Sequence, residues 1–146
     1  MKLVVLCLFA VCCFSLANTS TNITEKKKLQ EVLRQLKDVR LSLQQHDQNM
    51  TLNTPPRNIE DCCCLSALQC FRANLQVKFN AADRKTNKLY RSLSNPITER
   101  GLNFCNSGNV MSTCQDCDSH PKENATEFFN RLESLIQMAI TRRSMN

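Results

Sequence analysis

The stretch DCCCLSALQC, residues 61–70, places three consecutive cysteines and a fourth six positions after the last of them in a run of otherwise helical spacing. Cys105 and the pair Cys114-x-x-Cys117 follow further along. Sulfur constrains this chain more than any other feature, because a disulfide needs Cα atoms within about 7 Å and so dictates which segments meet. On an α-helix each residue turns about 100° and rises about 1.5 Å, so Cys63 and Cys70 share nearly one direction about 10.5 Å apart, while Cys62 and Cys64 point away. The step from Cys114 to Cys117 spans about 10 Å when extended. The two pairs therefore match as a two-rung ladder, with Cys63 as the member of the triplet that faces it. Each rung would close a loop of about fifty residues, for which chain entropy gives about 4 kcal/mol.

Disulfides need an oxidising compartment, and residues 1–17, MKLVVLCLFAVCCFSLA, point to one. Lys2 is followed by an apolar run of about 14 residues, short of the ~20 that cross a bilayer, and Ser15-Leu16-Ala17 suits signal peptidase. We read residues 1–17 as a secretory signal and not a membrane span, and 18–146 as one exported domain. Residues 18–146 carry 18 basic against 13 acidic side chains and seven cysteines, an odd count that leaves a thiol over or available to another chain. No basic run exceeds Lys26–Lys28 and aromatics are sparse. The positive balance thus reads as a solvated surface, with neither nucleic acid nor membrane as partner. Sequons stand at Asn18, Asn22, Asn49 and Asn124. Asn49, in an expected loop, is the foremost glycan candidate, with Asn22 and Asn124 after it.

The apolar period predicts four helices. Leu29, Val32, Leu33, Leu36, Val39 and Leu43 form one stripe over about 24–45, which Asn22 and Glu25 could open as a capping box. His46–Glu60, with Pro55-Pro56, reads as a long loop. Asp61 is placed to cap a second helix carrying Cys63, Ala67, Cys70, Phe71, Leu75 and Phe79 to about Asn80. A third, short or kinked, spans Lys85–Leu93 before Ser94-Asn95-Pro96. Gly101–Lys122 reads as an irregular connection pinned by sulfur. The fourth helix has the widest face: Ala125, Phe128, Phe129, Leu132, Leu135, Ile136, Ala139 and Ile140. Two long connections favour an all-α, up-up-down-down bundle over a short-looped one, and no strand is expected.

No catalytic constellation accompanies this fold. A redox pair or zinc half-site is the rival reading of Cys114-x-x-Cys117, but no βαβ setting surrounds it. A secreted phospholipase would need His-Asp after the cysteines, where Leu65-Ser66-Ala67-Leu68 stands, and His46 and His120 fall in expected loops. The chain is read as a non-enzyme, without cofactor or metal. A cationic antimicrobial or lipid-binding helical protein is a further reading, which would need exposed apolar faces lined by Lys and Arg.

Residues 63–71, CCLSALQCF, with TCQDCDS (113–119), EFFNRLESLIQMAI (127–140) and, more weakly, QLKDV (35–39), resemble the interleukin-2, interleukin-15 and interleukin-21 group of short-chain four-helix cytokines. The Cys-Asp-Ser after the CxxC and the Glu-Phe-Phe-x-Arg-Leu-x-Ser-Leu-x-Gln pattern are most similar to interleukin-21, and the Gln-Met with a following Ile to interleukin-15. The resemblance implies a secreted lymphocyte growth factor, acting as a monomer, that bridges the common gamma chain and a private or beta-type receptor so that their Janus kinases act on each other. It implies disulfides Cys63–Cys114 and Cys70–Cys117. It places the glutamine facing the common gamma chain at Gln137, with an apolar contact at Ile140. The acid with which relatives grip the second receptor falls on Gln35, so Glu31, Arg34 and Asp38 become its substitutes. Cys62, Cys64 and Cys105 depart from the pattern, and a third bridge from Cys105 to Cys62 or Cys64 is open.

Overall fold

Leu29, Val32, Leu36 and Val39 repeat at helical spacing and form the buried stripe of α1, helical over 23–42. A computed structural model describes residues 23–42, 50–79, 83–105 and 113–145 of the chain. Asn18, Asn22, Leu43 and Asn49, and residues 1–17, lie outside the described residues. Glu25, expected to close a capping box, is instead buried, with its carboxylate 3.3 Å from Arg143.

The second helix begins later than expected. Asp61–Cys63 is a 3₁₀ turn and α2 runs over Cys64–Lys78. Asp61 caps nothing: its carboxylate pairs with Arg142 at 2.6 Å, and no side chain caps either the turn or α2. The third helix is divided into α3, Arg84–Leu93, and α4, Pro96–Gly101. The break has a local cause. Pro96 lacks the N–H that would continue α3, and Asn95 restarts the helix by accepting a 2.9 Å bond from Ile97 N at its Oδ1. Gly101, expected in an irregular connection, ends α4 against α1: a Cβ there would stand 3.0 Å from Leu29 Cδ1. α5, Ala125–Met145, closes the bundle.

One expectation is overturned. The loops hold two strands, β1 (Thr51–Asn53) and β2 (Lys122–Asn124), paired antiparallel with Leu52 opposite Glu123. Three residues each are too few for an alternating pattern to show, and the pairing joins segments about seventy positions apart. Thr54 N extends the ladder to Pro121 O at 3.0 Å. The two long connections of the bundle thus run side by side, as an up-up-down-down path allows.

The core lies between the helices. Phe71 of α2 meets Phe128 of α5 edge-on at 5.2 Å, and Phe128 meets Phe129 at 5.3 Å. Leu29, Leu36, Leu52, Leu68, Leu75, Leu89, Leu93, Leu102, Leu132 and Ile136 are fully buried around them. Burial of this kind contributes about 1.5–3 kcal/mol per large side chain. The apolar stripes read along α1, α2 and α5 are therefore committed to one another. Among the described residues the exposed large hydrophobics are single ones, Ile23, Leu41, Val77 and Met145, and no described helix is long and apolar enough to cross a membrane.

Candidate functional site

Sulfur frames the site from one side. Cys63 is bonded to Cys114 and Cys70 to Cys117, with Cα separations of 5.5 and 5.2 Å. Cys62 takes Cys105, which assigns the third bridge, and Cys64 is the free thiol among the described residues. The assignment has a helical reason. Cys64 begins α2 pointing into the core with no exposed surface, while Cys62 stands on the preceding turn, half-buried. Burial, helped by the negative charge of Asp61, pushes the Cys64 thiol above its ordinary range, which keeps it protonated and unreactive. Among the described residues no cluster of His, Cys, Asp and Glu could hold a metal ion.

The other side is built by α1 and α5. On α5, Phe128, Phe129, Leu132, Leu135, Ile136 and Ala139 face the core, and Gln137 falls outside that stripe, in solvent. Its amide Nε2 donates to Glu133 Oε1 at 3.4 Å, and its backbone carbonyl oxygen accepts from Thr141 Oγ1 at 3.0 Å. Glu133 in turn pairs with Arg40 of α1, whose other guanidinium nitrogen reaches Asn130 Oδ1. Gln137 is therefore one link from α1. Ile140 is half-buried at the edge of the core.

The α1 candidates separate. Arg34 and Asp38 are exposed, and Glu31 is half-buried, 3.4 Å from Lys28 Nζ. Gln35 is not a surface group: it is 8% exposed, its Nε2 donates to Glu31 Oε1 at 3.3 Å, and its buried Oε1 has no partner. The helical period explains this, because Val32, Gln35, Leu36 and Val39 occupy the i, i+3, i+4, i+7 positions of one buried stripe. Asn124 is exposed at the end of β2, and its Oδ1 accepts from Glu127 N at 2.8 Å at the head of α5.

Arginines carry contacts that motif reading did not find. Arg143 reaches Glu25 and the carbonyls of Arg100, Gly101 and Asn103, and with Arg142 it lies over the Phe104 ring at 4.8 and 4.9 Å. Arg131 joins Glu127 at 2.8 Å and Glu123 at 3.4 Å, tying α5 to β2. The Arg131 hydrogen bond holds the Glu127 carboxyl below its ordinary range. The signal available in sequence was the two-arginine end of a helix facing an otherwise unpaired acid far upstream, which spacing cannot register.

Residues 8–141 match the family model described as Interleukin 15. Interleukins are secreted signalling cytokines that act through cytokine receptors, and not an enzyme family. A helical bundle with three disulfides and a match over most of its length leave one conclusion: this chain belongs to the interleukin-15 family.

Proposed function

We propose that the chain is an interleukin-21-like cytokine whose mature part, from Asn18 onward, binds the common gamma chain through the α5 surface around Gln137 and Ile140. A private or beta-type receptor takes the outer side of α1, at Glu31, Arg34 and Asp38, with Gln35 holding Glu31 from beneath. The ligand performs no chemistry. It joins two receptor chains as a monomer, and their Janus kinases then act on each other in lymphocytes. Glycans on Asn49, Asn22 or Asn124 accompany secretion.

One observation carries this reading. α5 spends its inner face on the core and leaves Gln137 in solvent, on the segment whose Glu127-Phe128-Phe129-x-Arg131-Leu132 pattern carries the resemblance to interleukin-21. An exposed carboxamide offers two donors and an acceptor to a partner. The test is Gln137→Asp. The new carboxylate stands one turn from the half-buried Glu133, which stays paired with Arg40, and like charges at that spacing cost only about 0.2–0.5 kcal/mol, so the fold survives. At an interface the charge is desolvated without a partner, and gamma-chain affinity should fall by about 1–3 kcal/mol while private-receptor binding persists. Such a variant would be a partial antagonist on responsive lymphocytes. Full gamma-chain affinity with full signalling would remove Gln137 from the site.

A further inference from the structure

α3 differs in charge from every other helix described. Its ten residues, RKTNKLYRSL, carry Arg84, Lys85, Lys88 and Arg91, all exposed, and no acid. Arg84, Lys88 and Arg91 follow the spacing that stacks side chains along one helix face, about 5–6 Å between neighbouring Cβ atoms. Most other arginines are engaged: Arg40, Arg57, Arg72, Arg131, Arg142 and Arg143 each hold a carboxylate. Among the described residues, no ion pair or side-chain hydrogen bond engages the four cations of α3. The adjacent acid, Asp83, is occupied at 2.7 Å by Thr86 Oγ1.

This arrangement works against the helix that bears it. Cations in a first turn oppose the helix macrodipole, and like charges three and four apart repel. Arg84 and Lys85 stand in that first turn, and Lys88 follows at four and three residues. Leu89 and Leu93 hold α3 in the core from the other side, so the exposed face gains nothing in the free protein. A polyanion would relieve both conflicts.

We propose that the Arg84, Lys85, Lys88 and Arg91 face of α3 is a docking strip for a sulfated polysaccharide of the extracellular surface. The face itself discriminates between anions. It has no exposed aromatic or aliphatic anchor of the kind that carries binding energy between proteins, where lysine is depleted. Its apolar side is buried, which leaves no wedge for a lipid surface, and the anionic leaflet of cells is the cytoplasmic one. A row of cations without apolar content fits a flexible chain of sulfates, which guanidinium and ammonium groups bind with release of counterions.

The experiment uses the secreted, disulfide-bonded chain and size-defined heparin as probe. The variant R84Q/K85Q/K88Q/R91Q should lose affinity by about tenfold or more and show a shallower salt dependence. A control with four charges removed elsewhere, K27Q/R34Q/K37Q/K122Q, should lose less than about threefold. On the wild type, heparin should protect Lys85 and Lys88 from acetylation and leave Lys27 and Lys37 reactive, a readout that does not depend on a variant folding. Equal loss in both variants, or no selective protection, would overturn the proposal in favour of bulk charge. So would desulfated heparin, polyglutamate or phosphatidylserine vesicles binding as tightly as heparin itself.

Discussion

Three bridges tie Cys62, Cys63 and Cys70, on α2 and the turn before it, to Cys105, Cys114 and Cys117, whereas α1 meets the rest of the molecule through packing and non-covalent contacts that include Arg40 with Glu133 and Arg143 with Glu25. The contrast separates two tasks. Covalent bridges fasten the described segments around the small sheet, and they do so where no receptor contact is proposed. α1 and α5 carry the proposed receptor surfaces, and their relative position rests on Leu29, Val32, Leu36 and Val39, on Arg40 with Glu133, and on Arg143 with Glu25. Sulfur fixes the frame, and weaker forces set the working faces.

The largest effect should come from breaking the frame. Cys70→Ala with Cys117→Ala opens a loop of 47 residues' separation, and denaturant titration should show a loss of about 2–5 kcal/mol. The other two bridges limit how far the unfolded chain expands, so the lower half of that range is expected.

A smaller loss should follow on the side without sulfur. Arg40→Leu removes the hydrogen bonds to Glu133 and Asn130, and because both charges keep some contact with water the cost should be about 1–2 kcal/mol. Raised ionic strength should narrow the difference between wild type and Arg40→Leu, and should leave the disulfide effect unchanged.

The smallest effect lies where the two sides touch, at Asp61 and Arg142. The hydrogen bond from Arg142, with its charge, holds the Asp61 carboxyl below its ordinary 3.8. Since folding depresses this pKa, the pair stabilises the protein above about pH 4 and the contribution is lost as pH falls through the folded value. The pair is exposed, so at most about 1 kcal/mol is involved. Asp61→Asn should unfold at slightly lower temperature than wild type at neutral pH, and the two melting curves should coincide near pH 2.

Much of this fold was legible because its core is periodic. The stripes Leu29 to Val39 and Phe128 to Ala139 stand in the sequence at helical spacing and are buried as one cluster. The direction of successive residues on a helix singled out Cys63 and Cys70, and both are bridged, although Cys63 stands on the 3₁₀ turn before α2 and Cys62 is bridged as well. What escaped depends on contacts between distant segments. β1 and β2 have no pattern of their own and exist by pairing with each other. Glu25 read as a cap and is an ion-pair partner of Arg143, more than a hundred residues away. Gln35 read as a surface residue because relatives place a contact there, although the spacing of Val32, Leu36 and Val39 already put it on the inner stripe. Cys62 and Cys64 could be told apart only once α2 was seen to begin at Cys64.

The central claim is that one chain joins two receptors through faces on α1 and α5. Sequential binding tests it most directly: the disulfide-bonded protein is first saturated with a private-receptor ectodomain, then titrated with the common gamma chain ectodomain, with mass measured by light scattering. The account predicts a complex of one ligand with one copy of each receptor, lost on the gamma-chain side alone in Gln137→Asp. A complex that never takes up the common gamma chain, or takes it up equally well in the variant, would contradict it.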